Sequence, residues 1–420
     1  MQSLRLATST TMESKAKKAR RPAGPGSLTA LTLGLAKQFA GDGDGDGNLV
    51  FSPLSIYSAL ALVAAGARGR TLDELLALLG AGSRGELAEF VRGVAERALA
   101  DGSRSGGPRV AFASGVWHDA ARALRPAFRA AAAAASFKAE ARAVDFRGKP
   151  EEARKEINAW VAAATKNLIR SVLARGSVGP DTGVVLANAI YFKGRWEKPF
   201  SKGSTMVEKF YLLDGAAVDA PLMRSGRRQK IAVHDGFKVL KLPYTAAPSS
   251  AGAKRAEYSM CFFLPDARDG LWAMADEMAA GGADFVRDHL PSESVEVGKL
   301  RLPRFKMTFS TELKGVLKDM GLKVALDPDQ CDLGDMAEDD GSGMPLYVSS
   351  VIHKAVVEVN EEGTEAAAST VAIVRIGAAP RMAPPVTVDF VADHPFAFFI
   401  IEEVCGAIVF AGYVLDPTQS

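Results

Sequence analysis

Cysteine is scarce in this chain: Cys261, Cys331 and Cys405 are the three in 420 residues, far apart and in no C-x-x-C spacing. An odd, sparse set supplies neither a disulfide framework nor a zinc site, so the thiols read as buried or idle. Histidine is as thin. His118, His234, His289, His353 and His394 show no H-E-x-x-H and no paired spacing. His353 sits in an apolar strand and His394 precedes Pro395, both places for a hydrogen-bonded structural imidazole. No G-x-S-x-G, no G-x-x-x-x-G-K-[ST] and no G-x-G-x-x-G behind a strand occurs. The acidic pairs Glu361-Glu362 and Asp339-Asp340 read as solvated loop charges. Nothing supports catalysis, so the expectation is no enzyme, no metal and no cofactor.

Long hydrophobic runs are also missing. The most apolar pieces, 59–67 and 396–401, are core-sized, far short of the roughly 18 residues that span a bilayer. The N-terminus has no apolar core of the secretory kind. Net charge is nearly absent: 51 Lys+Arg against 49 Asp+Glu excludes a wide nucleic-acid or membrane footprint. What charge asymmetry there is lies in residues 1–22, where Arg5, Lys15, Lys17, Lys18, Arg20 and Arg21 face Glu13 alone. Residues 1–27, ending in PAGPGS, read as a flexible basic leader. Its KAKKARR run has the make-up of a nuclear signal, and its acid-poor character that of a transit peptide; a solvated tail is the simpler reading. With no secretory signal, a soluble cytoplasmic or nuclear protein is expected, organelle targeting by the leader or extracellular release being the alternatives.

The remaining residues, 28–420, read as one domain. The run GDGDGDG at 41–47 resembles a calcium loop, but a loop starting at Asp42 needs Glu at its twelfth position, which is Pro53. A helix starts in FSPLS at 51–55, with Ile56, Ala59, Leu60 and Val63 on one face. Thr71 and Glu74 have capping-box spacing and open a helix ending at Gly80. Residues 122–144 and 150–173 read as helical, the second through Ile157, Trp160, Val161 and Leu168. After Gly179-Pro180 the texture becomes β: strands are expected at 184–192, 208–213, 229–243, 257–264, 295–302, 348–360, 396–401 and 407–414, with a helix at 311–320. Helices first and strands later indicate an α+β fold on antiparallel or mixed sheets.

One segment does not fit. Residues 361–389 separate two strands and hold no convincing helix, and a connector of that length inside a domain is usually functional or disordered. Gly363 is a hinge glycine, the residues after it are mostly small, and Pro380, Pro384 and Pro385 stiffen the far limb. A small, strand-competent run behind a hinge can enter a packed sheet without overfilling it. An exposed low-complexity loop or a linker is the plainer alternative.

Six blocks give the chain a resemblance. They are NLVFSPLSI from Asn48, ANAIYFKGRW from Ala187 running on to Pro199-Phe200, LPRF from Leu302, VIHKA from Val351 leading into EVNEEGTEAAA, DFVADHPF from Asp389, and FAGYVLDP from Phe410. In this order, and from residue 48 to 417, they resemble the serpins, and among them the plant, cereal-type serpin-Z group. The resemblance implies three β-sheets, about nine helices and an exposed reactive-centre loop at 361–389. It implies an irreversible suicide-substrate inhibitor: a target endopeptidase attacks a bait bond, forms a covalent acyl-enzyme, and is trapped as the cleaved loop inserts into the central sheet. The implied target and partner is a serine, or else a papain-like cysteine, endopeptidase; no specific nucleic acid and no membrane are expected as partners, and a monomer is expected.

The resemblance makes Glu361, Glu362, Gly363, Thr364, Glu365, Ala366, Ala367 and Ala368 the loop hinge; after the glycine it is small, as family hinges are, save for Glu365, where the family pattern also tends to carry Glu. A bulky or proline-bearing hinge would suggest the alternative, a non-inhibitory serpin serving storage or interaction. Ser52, Asn188 and His353 resemble the family's polar cluster beneath the opening sheet, and Trp196 its counterpart at the loop's entry. Counting fourteen residues from Gly363 puts the bait bond at Gly377-Ala378, whereas counting back eleven from Phe390 gives position 379, so the loop is longer than usual. Arg375-Ile376 is the alternative bond for a trypsin-like protease, and Arg381 a more distant one.

Overall fold

The structure is a computed structural model that describes residues 23–41, 47–134, 137, 139–226, 228–246, 256–341, 346–364 and 387–419; the architecture is that of these residues. Residues 53–66 are apolar on almost every side, and a helix of that kind has to be enclosed. They form the helix Pro53–Gly66, buried from Pro53 to Ala64, with Pro53 at its first position and the Ser52 hydroxyl accepting the Ser55 N–H. The helix touches strands of two sheets, Val184–Arg195 and Ala407–Val414. Phe51, taken from the sequence as a helix start, instead closes the short strand Leu49–Phe51.

Sheet A runs in the order Phe305–Glu312, Val348–Val359, Val184–Arg195, Arg109–Asp119, Glu140–Val144, and the two-residue strand Gly363–Thr364 makes six. Sheet B has seven strands, in the order Leu49–Phe51, Ala407–Val414, Phe396–Glu402, Tyr258–Pro265, Phe237–Pro243, Gln229–Val233 and Ser294–Val295. Sheet C has four: Val388–Val391, Val297–Pro303, Ala217–Ser225 and Met206–Tyr211. Nine α-helices accompany them among the described residues, and none is long and apolar enough to cross a membrane. This is the α+β, three-sheet architecture anticipated from the sequence.

Sheet A is covered on both faces, which is why its central strands read as continuous apolar runs. Val184, Leu186, Ile190 and Phe192 join the main core with the Pro53–Gly66 helix and sheet B. Val185, Ala187, Ala189 and Tyr191 point the other way, into a second cluster with Ile157 and Val161 of the helix Pro150–Ala164.

Several local expectations are corrected. Residues 122–144 are helical only over Pro126–Ala133; Glu140–Val144 pairs with Arg109–Asp119 as the edge of sheet A, so tertiary pairing overrides the helical propensity of an Ala-rich run. The 150–173 helix stops at Ala164, and Lys166 and Asn167 then take positive φ of 54° and 61°. The 229–243 strand is a hairpin, Gln229–Val233 and Phe237–Pro243, turned at Gly236 with φ 80°. The 311–320 helix shrinks to Lys314–Asp319 because Thr311 and Glu312 are held in register with His353 and Ile352. Thr71 and Glu74 form no capping box, since the helix Gly69–Leu78 starts earlier. Their oxygens accept tertiary backbone N–H groups instead: Asp332 on Thr71, Lys323 and Val324 on Glu74. Asp340 is not solvated, lying buried between Arg122 at 3.1 Å and Arg147 at 2.7 Å. The first helix, Pro25–Ala40, begins three residues before Leu28. Residues 1–22 and 42–46 lie outside the described residues.

Two glycines give opposite predictions. A Cβ on Gly412 would sit 2.1 Å from the Leu49 carbonyl oxygen and 2.7 Å from the Phe398 ring. Gly412→Ala should therefore lower stability by about 1–3 kcal/mol through overpacking. Gly93, exposed within the helix Arg84–Ala98, has nothing within 4 Å of that position. Gly93→Ala should raise stability by about 0.5–1 kcal/mol. Urea midpoints of the two variants against the parent check both signs.

Candidate functional site: the hinge and the strand pair it enters

The two central strands of sheet A, Val184–Arg195 and Val348–Val359, pair in parallel from Val348 opposite Val184 to Val356 opposite Tyr191, with one register shift between Val348 and Ser350. Beyond Tyr191 they part, and the chain itself enters the gap. After Val359 it turns through Asn360–Gly363 and comes back antiparallel to Val184–Arg195, with Gly363 opposite Arg195 and Thr364 opposite Gly194. The turn is closed by the Asn360 N–H donating to the Gly363 carbonyl at 2.8 Å and by the Glu362 N–H donating to Asn360 Oδ1 at 3.0 Å. Gly363 has φ 149°, and a Cβ there would lie 2.0 Å from the Gly194 carbonyl oxygen, so only glycine fits this rung.

Thr364 is fully buried, and its hydroxyl shares a hydrogen bond of 2.8 Å with the Tyr244 hydroxyl. Burial pushes the Tyr244 phenol above its ordinary pKa and keeps it neutral. Tyr244 stacks on Trp196 with ring centroids 4.5 Å apart, and Trp196 Nε1 donates to the Asn360 carbonyl at 2.9 Å. The Trp196 and Phe200 N–H groups donate to the carbonyls of Glu362 and Glu361, each at 2.8 Å. The sequence reading of these two acids as solvated is overturned. Glu361 is 5% exposed, accepts from Thr205 Oγ1 at 2.7 Å and faces Arg304 at 3.6 Å, while Glu362 is paired with Lys202 at 2.5 Å.

Lower in the same strand pair, three of the four gating candidates meet. His353 is opposite Asn188 in the register. Its Nε2 accepts the backbone N–H of Ser52 at 3.0 Å, so Nδ1 carries the proton and donates to Asn188 Oδ1 at 2.6 Å. Asn188 Nδ2 then donates to the Ser55 carbonyl at 3.3 Å. Burial alone pushes the His353 pKa down to about 3, so the ring is neutral. Ser52 contributes through its backbone amide while its hydroxyl caps the helix. Trp196 lies at the other end of the strand, with the hinge.

Glu365, Ala366, Ala367, Ala368, Arg375, Ile376, Gly377, Ala378 and Arg381 lie outside the described residues. Tyr244, Thr205, Lys202, Arg304 and Gly194 were not picked out from the sequence. Gly194 and Arg304 fall inside quoted blocks; Tyr244, Thr205 and Lys202 are brought to the hinge by the fold across 120 to 160 positions, a distance at which spacing carries no signal. Burial pushes the Cys331 and Cys405 thiols up to about 12 and Cys261 higher still, which suppresses thiolate formation.

Three sheets around an enclosed helix, with a long connector following the parted end of sheet A, define a class of protein rather than a catalytic site. A profile described as "Serpin (serine protease inhibitor)" matches residues 27–417. A rice sequence carrying the serpin-Z6C name is 56% identical over 412 residues, covering 96% of this chain and 99% of its own. Rice Serpin-Z2A is 52% identical over 420 residues, covering 94% and 98%. The structure of Arabidopsis AtSerpin1 in its native stressed conformation superposes with a TM-score of 0.83 at 36% identity, covering 94% of this chain and 98% of that one. The chain belongs to the serpin family. Membership supports a function of the serine protease inhibitor type, in a family of inhibitors rather than catalysts.

The histidine gives a pH prediction. In the unfolded chain its pKa returns to about 6.5, so between pH 6.5 and 3 the unfolded state binds a proton that the folded state refuses. Stability should fall as pH drops through that window, by up to about 1.4 kcal/mol per pH unit for this one group. His118 is shifted the same way by burial and adds to the slope. Urea titrations from pH 7.5 to 4.5 should show the His353→Gln variant less stable at pH 7.5, with a dependence shallower by about one proton.

Proposed function

We propose that the chain is an irreversible suicide-substrate inhibitor of endopeptidases, trapping its target as an acyl-enzyme by inserting the cleaved 361–389 loop into sheet A. The observation that carries this reading is the antiparallel rung already formed by Gly363 and Thr364 on Arg195 and Gly194. A protease nucleophile attacks the bait carbonyl, the amine of the following residue leaves, and the upstream limb stays esterified to the enzyme. Once cut, that limb is free to continue the rung already begun.

Continuing the register places Thr370 opposite Asn188 and Val374 opposite Val184, the foot of the strand. Paired residues share a face, so Ala366, Ala368, Thr370, Ala372 and Val374 follow Thr364 toward the main core. Glu365 and the other odd positions face the Pro150–Ala164 side. Small residues meet the core at most levels, as a lane between packed strands requires. At the level of Asn188, Thr370 arrives between Asn188 and His353, displacing their mutual hydrogen bond and offering a hydroxyl in exchange. Gly377-Ala378 is kept as the bait bond, with Arg375-Ile376 as the alternative; in either case the limb is long enough to reach Val184.

The test mixes the protein with trypsin, an elastase and a papain-like protease and reads products on denaturing gels and by intact mass. The expected result is a stable covalent complex plus one C-terminal fragment whose mass identifies the bond. Cleavage with neither complex nor a large rise in melting temperature sinks the inhibitor reading and leaves the fold to storage or interaction. Thr364→Arg should convert complex formation almost wholly to turnover, because the first rung would have to bury an unpaired charge at a fully buried position.

A further inference from the structure

A cavity of about 570 Å³ opens at the pole of the molecule between residues 199–206, 224–226 and 298–301. Its position follows from two sets of contacts. The 199–206 wall holds the hinge, through Phe200, Lys202 and Thr205 on Glu361 and Glu362. The 298–301 wall holds the far stem of the loop. Val388–Val391 pairs with Leu300 and Arg301, and Asp389 Oδ1 accepts the Lys299 N–H at 2.8 Å. The described residues on either side of the 365–386 span are therefore anchored on opposite walls of the cavity.

The lining is one-sided in charge. Among the described residues it contains Arg224, Lys299 and Arg301 and no acidic residue. Glu208 beneath them pairs with both arginines, at 2.7 Å and 2.5 Å, so one carboxylate serves two guanidiniums and the rim keeps a positive excess. Of the other acids nearby, Glu361 and Glu362 are paired with Arg304 and Lys202, whereas Asp389, which accepts the Lys299 N–H, keeps its charge, so three cations face the two carboxylates of Glu208 and Asp389. Beside the cations the edge strand Met206–Tyr211 leaves Met206 52% and Val207 69% exposed. The volume is more than a single side chain fills and suits the tip of a protein loop. A concave basic patch with an apolar shoulder, between the two anchors of the segment that a protease must hold, has the form of an interface with a polar rim.

We propose that this cavity is a secondary docking site for the target endopeptidase, selecting enzymes that carry an acidic loop beside the active-site cleft. The inference rests on the inhibitor reading and adds a selectivity that the bait residue does not supply. Rim charges act mainly on association rate and its salt dependence.

The test uses an anionic and a cationic trypsin, which share a preference for Arg and Lys but differ in surface charge. Second-order rates of attack on the loop are measured for the parent, Lys299→Glu and Lys299→Ala, with the isolated 365–386 peptide as baseline. For the anionic enzyme at low salt, Lys299→Glu should slow attack roughly five- to tenfold and Lys299→Ala about half as much on a logarithmic scale. Both effects should shrink below about twofold at 0.5 M NaCl. The cationic enzyme should be unaffected or faster. Equal slowing of both trypsins, no slowing of either, or the same anionic-to-cationic ratio on the parent as on the peptide overturns the docking site while leaving the inhibitor reading intact. Absence of covalent complex at equal cleavage by both overturns the inhibitor reading instead.

Discussion

The interaction on which the rest depends is a parallel pair at the centre of a mixed sheet. Val184–Arg195 and Val348–Val359 run side by side in the same direction, joined over only part of their length. Parallel ladders hold slightly less well per residue than antiparallel ones. A chain returning from the top of Val348–Val359 is antiparallel to both strands, so placing it between them replaces one parallel ladder by two antiparallel ones. Each rung contributes a net ~0.5–1.5 kcal/mol of hydrogen bonding. About ten further rungs from Lys193 down to Val184 therefore compare with the whole stability of an ordinary domain, ~5–15 kcal/mol. In the proposed function the inserted sheet is the more favourable alternative, and Gly363 and Thr364 already stand at its entrance.

What keeps the alternative unfilled is local. At the entrance, Trp196, Phe200, Thr205, Lys202 and Arg304 fix Glu361 and Glu362, so the chain beyond Thr364 cannot slide deeper without slack from the other stem. That stem is anchored on sheet C by Val388–Val391. Midway, His353 and Asn188 bridge the two strands and tie both to the enclosed helix through Ser52 and Ser55. A neutral imidazole suits this post. It donates on one side and accepts on the other at no cost in buried charge, whereas a protonated ring would lose its bond from the Ser52 amide.

The fold class, the central strands Val184–Arg195 and Val348–Val359 of sheet A and the strands Tyr258–Pro265, Phe396–Glu402 and Ala407–Val414 of sheet B were legible because apolar runs report burial, whereas Arg109–Asp119, Glu140–Val144 and most of Phe305–Glu312 in sheet A and Leu49–Phe51 in sheet B were not. Gly363 was legible as a hinge for a local reason, a glycine's freedom to take a φ such as its 149°, while the Gly194 carbonyl that excludes a Cβ there is supplied by the fold. What failed did so where partners distant in sequence decide the outcome. The Ala-rich stretch at 122–144 carries helical propensity throughout, yet its second half is conscripted by the edge of sheet A. Thr71 and Glu74 have the right spacing for a cap and spend their oxygens on residues 249 to 261 positions away. Glu361 and Glu362 look solvated beside a glycine, and only the fold brings Arg304 and Lys202 to them. Tyr244, which receives Thr364, had no local signature at all.

The pre-formed rung also bears on timing, the quantity that separates an inhibitor from a substrate in the proposed function. An acyl-enzyme hydrolyses on its own clock, so insertion has to start without a slow search. Starting a strand from a free loop requires closing that loop and fixing several residues before any pairing is gained. Here Gly363 and Thr364 have met that requirement before the protease arrives, and each further step adds a rung per residue fixed. The remaining resistance lies in parting Asn188 from His353 and in passing new side chains beneath the Pro150–Ala164 helix. Ala367 and Ser369, the first odd positions after Glu365, are small enough to pass under it.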